Sequence, residues 1–503
     1  MTNLADFLRT QAAEHGDRPF VRFRDERMTF AEFDAVTDKV AAGLAASGVK
    51  PGDVVSVFLP NHIRYLEAWW GIVKAGGVFG PVNPAFTGSE AKFVISFSES
   101  VAVITSDKGK EIIDSIMDDL PTVENVYSID DGSFDELRES DGDVPDCDRA
   151  EDDLAHILYT SGTTGQPKGA MLSHGNVLTN AWQVAELVPL VPGDRVGMIL
   201  PLFHANAQIA TCVMPLMIGC EVVMWDGFSG SKFWDMVEEH EPATISAVPT
   251  ILSALLNAAK DRDVSKTSLR YVVCGAAPLS KEMLTTFQDK FGIRILEGYG
   301  LTETTCVSSL NPFYGTQKAG SIGLPVRGQL MEIRDEDDNQ VAQGEKGEIC
   351  IQGANVMMGY LKNEESTSES LVDGWLHTGD VGIVDEDGYF FIVDRTKDMI
   401  IRGGENIYPR EIEEVLYEFE GVLEAAVIGV PDDHRGEEVL AIVVAKDGAD
   451  IDADEILEFT KDKLAKFKHP RAVEIKDELP KTPTGKISKG PLREEYGHWA
   501  TSK

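Results

Sequence analysis

Residues 159 to 169 read Tyr-Thr-Ser-Gly-Thr-Thr-Gly-Gln-Pro-Lys-Gly. The apolar run Leu154 to Tyr159 has the look of a short buried strand that empties into this loop. Gly162, Gly165 and Gly169 let the backbone curl with its N–H groups pointing inward. Thr160, Ser161, Thr163 and Thr164 add hydroxyl donors, and Lys168 adds a point charge. A loop of this make-up suits a polyphosphate. The Walker pattern does not apply, because it needs Gly-Lys-Ser/Thr running into a helix. Here Pro167 precedes Lys168 and disfavours helical geometry at Gln166.

Further chemistry lies downstream. Tyr271 to Pro278 is a strand running into the small residues Gly275, Ala276 and Ala277, where a flat ring can approach the backbone. Glu297-Gly298-Tyr299-Gly300-Leu301-Thr302-Glu303-Thr304 follows. Glu303 can hold Mg²⁺ as a hard oxygen ligand, Thr302 can donate to a phosphate oxygen, and Tyr299 can stack on a base. Asp380, in Trp375-Leu376-His377-Thr378-Gly379-Asp380, is a candidate acceptor for ribose hydroxyls. His204 stands just past the strand Val196 to Leu200, at the strand end where open α/β sheets place ligands. The glycine pair in Arg402-Gly403-Gly404-Glu405 suits a loop that meets a ligand through its backbone. Lys486 sits in a Pro/Gly loop, Leu479 to Ile487. Taken singly, a loop lysine, a turn aspartate or a lone histidine is usually inert.

Taken in order, these strings closely resemble the adenylate-forming enzymes: acyl-CoA synthetases, adenylation domains of peptide synthetases and firefly-type luciferases. The likeness covers essentially the whole chain. It implies ATP and AMP contacts at Thr160, Ser161, Gly162, Thr163, Thr164, Gly165, Lys168, Gly275, Ala276, Ala277, Glu297, Gly298, Tyr299, Gly300, Thr302, Asp380, Ile392, Arg395 and Lys486. It gives catalytic roles to Lys486, Thr302, Glu303 and His204, with Mg²⁺ on Glu303. Lys397 becomes a hinge, and Arg402, Gly403, Gly404 and Glu405 face CoA. The acyl pocket would draw on Trp182, Phe203, His204, Asn206, Val248, Pro249, Gly298, Thr305, Cys306 and Val307. Where family members often show Gly-Gly-Ala-Pro, this chain has Cys274-Gly275-Ala276-Ala277-Pro278.

A carboxylate attacking the α-phosphate of ATP must overcome repulsion between anions, so the site needs cations and aligned donors rather than a strong base. The acyl-adenylate formed is then attacked by a thiol. The first step wants Lys486 at the site and the second wants the Gly403-Gly404 loop, which a rotation about Lys397 would exchange. The expected activity is an ATP-dependent acyl-CoA synthetase for a fatty or related small acid. The partners would be that acid, ATP and CoA, with a homodimer as the candidate assembly. Three other readings stand beside it: a stand-alone enzyme loading a carrier protein, a carnitine/crotonobetaine-type CoA ligase, and a nucleotide-binding sensor without catalysis.

Alternating strand and helix patterns imply α/β layers. The expected organisation is a large N-terminal domain, 1–394, which includes a small β-barrel-like subdomain. A hinge joins it to a small mobile α+β C-terminal domain, 395–503. The 503 residues are too many for a single core. Acidic residues number 84 against 46 basic, so the net charge is 46 − 84 = −38, which argues against nucleic-acid binding. Such a surface suits a saline habitat, and Asp130 to Asp153 is expected to be a solvated connector. No apolar run approaches the ~18 residues of a membrane span, so a cytoplasmic location is expected. Cys147, Cys212, Cys220, Cys274, Cys306 and Cys350 show no metal-ligand spacing and are expected to be reduced, mostly buried thiols.

Overall fold

The computed structural model describes residues 3–146, 148–160, 167–259, 262, 264, 266–277, 279, 281–395, 398–403, 405–432, 435–446, 448–481 and 487–499. The chain groups into two compact units. The first comprises 1–319, 323–330 and 351–376; the second comprises 320–322, 331–350 and 377–503. The division expected from sequence, at 394/395, falls inside the second unit.

The first unit carries two sheets. One has nine strands in the order Leu324–Pro325, Ser309–Leu310, Arg294–Tyr299, Tyr271–Cys274, Thr244–Ala247, Arg195–Met198, Glu221–Met224, Pro19–Phe23 and Glu26–Thr29. Its central strands are parallel, with Ala247 beside Cys274 and Cys274 beside Glu297. Parallel strands are covered on both faces, which is why they read as continuous apolar runs. Trp234, Leu252, Leu255, Phe287 and Ile295 pack into the core beside them. The second sheet has seven strands, in the order Gly359–Tyr360, Lys168–Ser173, Leu154–Thr160, Val78–Pro81, Val54–Phe58, Ala102–Thr105 and Asn125–Ser128.

Local chemistry sets many helix starts. Thr29 and Glu32 form the expected capping box for Phe30–Ala46, and Ser173 caps His174–Ala185. Several helices escaped the sequence reading, two of them ahead of the glycine-rich loop. Gly88–Phe97 opens on a capping box from Thr87 and Glu90, a signal that was present but unread. Ser133–Arg138 lies within the acidic stretch expected to be a mere connector. Phe134 and Leu137 are buried on it, so two apolar side chains outweigh the surrounding charge.

The β-rich stretch forms a five-stranded sheet in the order Gln329–Arg334, Gly347–Gly353, Trp375–Val384 and Leu371–Val372, with Phe390–Arg395 on Trp375–Val384. Within the second unit, Val422–Asp432 and Gly436–Ala445 pair antiparallel at the centre of another sheet. Their alternate residues feed two cores. Ala425 and Val427 face Ile412, Leu416 and Ile456, whereas Ala426 and Ile428 face Leu479 and Leu492.

Candidate active site

The carboxyl ends of neighbouring parallel strands carry the candidate nucleotide and acyl residues. Ala247 leads to Val248 and Pro249, Cys274 to Gly275 and Ala276, and Tyr299 to Gly300 and Glu303. Close approach requires glycine here. A Cβ on Gly275 would stand 3.0 Å from the Gly298 carbonyl oxygen, and one on Gly300 would stand 1.5 Å from that of Cys306. Ala276 sits at φ 69°, a left-handed conformation that glycine adopts without strain. Glu297 is buried, and its Oε1 accepts from the Leu279 N–H at 3.4 Å.

Thr160 and Lys168 bracket the glycine-rich loop and are cross-strand partners in an antiparallel pair. Ser161, Gly162, Thr163, Thr164 and Gly165 lie outside the described residues. Beyond Lys168, the strand Lys168–Ser173 was not anticipated. Its far edge pairs with Gly359–Tyr360, Met171 facing Gly359 and Ala170 facing Tyr360. Tyr360, a residue that sequence reasoning missed, donates its hydroxyl to Glu303 Oε1 at 2.7 Å. Lys168 Nζ lies 5.1 Å from the centroid of the same ring. Among the described residues Tyr360 is the hydrogen-bond partner of the Glu303 side chain. The second carboxylate oxygen fits a hard cation.

In the second unit Asp380 is buried, and Arg395 Nε donates to its Oδ1 at 3.1 Å. The two residues face each other across antiparallel strands, and Ile392 lies opposite Gly382 on the same pair. Glu348 clips the turn before Asp380: Oε1 accepts from the Gly379 N–H at 2.7 Å, and Oε2 lies 2.9 Å from His377 Nδ1. The fold also brings Cys350 within 3.6 Å of that nitrogen, a proximity that their spacing in sequence did not reveal. Asp338, Cys350 and His377 have the donor types of a metal site. However, Arg334 binds Asp338 at 3.0 Å, Glu348 holds His377, and burial pushes the Cys350 thiol up to about 12. The group is a charge clamp around a neutral thiol. Further on, Arg402 pairs with Glu438 at 2.7 Å and donates to the Phe467 and His469 carbonyls. Arg402 faces Glu405 in register across an antiparallel pair, and Gly403 takes φ 62°. Gly404, Lys397 and Lys486 lie outside the described residues.

Residues 8–361 match the model of the AMP-binding enzyme family, and residues 411–486 match that of the AMP-binding enzyme C-terminal domain. The chain belongs to the AMP-binding enzyme family. It is 38% identical over 478 residues to a feruloyl-CoA synthase of Amycolatopsis sp, covering 95% of this chain and 96% of that protein. It is 36% identical over 530 residues to a long-chain-fatty-acid–CoA ligase of Bacillus subtilis (strain 168), covering 98% and 94%. The solved structure of ATP-bound MatB from Rhodopseudomonas palustris matches with a TM-score of 0.92 at 32% identity, covering 99% of this chain and 100% of that one. Its class is that of the AMP-forming acid–thiol ligases, the ATP-dependent acyl-CoA synthetases. Among the described residues, no helix is long and apolar enough to cross a membrane.

The acyl-pocket candidates of this AMP-binding enzyme are placed in several settings. Phe203 and His204 are half-buried with ring centroids 4.0 Å apart, and Asn206 follows on the next turn. Val248 and Pro249 start a helix, Pro249 in its first turn. Cys306 and Val307 are buried, and the Val307 N–H donates to Asn180 Oδ1 at 3.0 Å. Gly298 faces the opposite strand, where a Cβ would meet Leu310 Cδ1 at 2.7 Å. Trp182 is 39% exposed, with the Arg327 guanidinium 5.7 Å from its ring. Thr305 is fully buried and centres a tight turn: φ 71°, ψ −54°, with the Cys306 N–H donating to the Thr304 carbonyl at 2.9 Å. That is a γ-turn of the strained, positive-φ kind, and a β-branched residue rarely occupies one. Thr305 Oγ1 donates to the Asn355 carbonyl at 2.7 Å.

Proposed function

We propose that this enzyme activates a fatty or related small carboxylic acid as its acyl-adenylate, releasing pyrophosphate, and then passes the acyl group to CoA, releasing AMP. The observation that carries the reading is the meeting of Lys168 and Glu303 on one phenol, which sets a phosphate-loop cation beside a carboxylate of the magnesium-binding type. Glu303 would hold Mg²⁺, whose charge offsets that of the phosphates. Lys168 and Thr302 would donate to phosphate oxygens. Gly275 to Ala277 and Tyr299 would bracket adenine, and Asp380 would accept from the ribose. Residues 395–503 would form the lid, turning at Lys397 to exchange Lys486 for the Arg402 to Glu405 loop.

The test is acid-dependent pyrophosphate release across a panel of acids. It should include fatty and arylpropenoic acids, because relatives are named for both, and should be run with CoA and with carrier proteins as acceptors. Release with at least one acid, coupled to thioester formation on CoA, is expected. Thioester formation on carrier proteins alone would favour the carrier-loading reading. Lys486→Ala should abolish adenylate formation yet spare thioester formation from supplied acyl-adenylate.

A further inference from the structure

We infer that Tyr360 is a positioning residue for the magnesium site: its hydroxyl aims the Glu303 carboxylate, and its ring seats the ammonium of Lys168. The inference rests on the reading of Glu303 as the magnesium ligand. Glu303 Oε1 receives the phenol hydrogen bond at 2.7 Å, and Lys168 Nζ stands 5.1 Å from the ring centroid. A single side chain therefore touches both the lysine that ends the phosphate loop and the carboxylate that follows Thr302.

Backbone bonds make the same connection. The Met357 N–H donates to the Glu303 carbonyl at 2.8 Å, and the Leu361 N–H donates to the Gly169 carbonyl at 2.8 Å. Residues 357 to 361 thus clip two segments that are far apart in sequence, with Tyr360 at the centre of the clip. The choice of side chain fits the task. A phenol donates one hydrogen bond and brings no charge of its own to the carboxylate, which keeps a second oxygen to offer a cation. A lysine or arginine in that place would neutralise Glu303 and compete with the metal. The ring face meanwhile offers Lys168 a seat that takes no hydrogen bond from it, leaving its N–H groups for phosphate.

The test uses the full-length protein and Mn²⁺ as the probe. Binding of Mn²⁺ to the complex with a non-hydrolysable ATP analogue is followed by electron paramagnetic resonance, beside melting curves for each variant. Tyr360→Phe should weaken Mn²⁺ binding by about tenfold, the change expected for a lost hydrogen bond to a charged group, with its melting temperature unchanged. Affinity for the analogue in metal chelator should stay at the wild-type value. Tyr360→Leu, which also removes the seat of Lys168, should weaken the analogue in chelator as well. Glu303→Gln separates the two readings. If Glu303→Gln loses Mn²⁺ and Tyr360→Phe binds it as wild type does, the role of Tyr360 is overturned and that of Glu303 stands. If Glu303→Gln binds Mn²⁺ normally, the magnesium reading itself falls.

Discussion

Glu303 and Asp380, the two carboxylates proposed to meet metal and ribose, are held in opposite ways. Glu303 is half-buried and accepts a hydrogen bond from a neutral phenol. Asp380 is 3% exposed and faces a guanidinium at 3.1 Å. The first arrangement preserves negative charge, which a cation needs. The second offsets charge and fixes direction, which suits an acceptor for hydroxyl groups. Their supports differ too. Glu303 is reached by a side chain from a distant strand, whereas Asp380 and Arg395 are register partners whose turn is clipped by Glu348. Charge and aim are thus tuned separately by the choice of donor.

The strongest way to break this contrast is to remove charge from each carboxylate in turn. Glu303→Gln should lower the rate of adenylate formation by about 10²–10³, the usual loss for one preorganised electrostatic contact, and no excess of Mg²⁺ should restore it. Asp380→Asn keeps an acceptor oxygen and should raise KM for ATP by about tenfold with a smaller change in kcat. Steady-state kinetics at varied Mg²⁺ read both. Should Asp380→Asn instead abolish the metal dependence, the two carboxylates share one role and the contrast fails. Thr305→Gly should have a smaller effect, about threefold to tenfold in kcat/KM. Glycine takes a positive φ freely, so the turn survives, but the hydroxyl bond to Asn355 that anchors the segment behind Glu303 is lost. A melting temperature equal to or above that of the wild type, with lowered activity, is expected. A proportionate fall in both would make Thr305 merely structural.

Much of this was legible in the chain. The strand Leu154–Thr160 and the strand-to-glycine junction from Tyr271 to Ala277 signal themselves, because apolar runs give way to small or polar residues within a few positions. The capping pair Thr29 and Glu32 is local in the same sense. Tyr360 was not legible, since its partners Lys168 and Glu303 come together only when the short strand Gly359–Tyr360 adds to the sheet edge. Nor was the turn at Thr305, because nothing in a threonine announces a positive φ. The clamp of Glu348, His377 and Cys350 depends likewise on strand register, which spacing along the chain does not encode.

Asp394 supplies the smallest test and a third way of holding a carboxylate. Its Oδ1 accepts from the Arg395 N–H at 2.7 Å and its Oδ2 from the Arg410 N–H at 2.9 Å, and the residue is 5% exposed. Burial pushes its pKa up to about 6, against the opposing pull of Lys489 and the two amides. In the unfolded chain an aspartate titrates near ~3.9. Between about 4 and 6 the folded protein therefore binds more protons at this site than the unfolded chain does, and stability falls as pH rises through that window. Below about 4 the group is neutral in both states and contributes nothing; above about 6 the cost is fully present. Melting temperatures of wild type and Asp394→Asn should accordingly diverge in favour of the variant between pH ~4 and ~7, by a few degrees. A difference that stays flat with pH would mean that hydrogen bonds from the amides outweigh burial at Asp394. A buried carboxylate would then not need a guanidinium such as that of Arg395 to stay charged, and the pairing at Asp380 would serve aim alone.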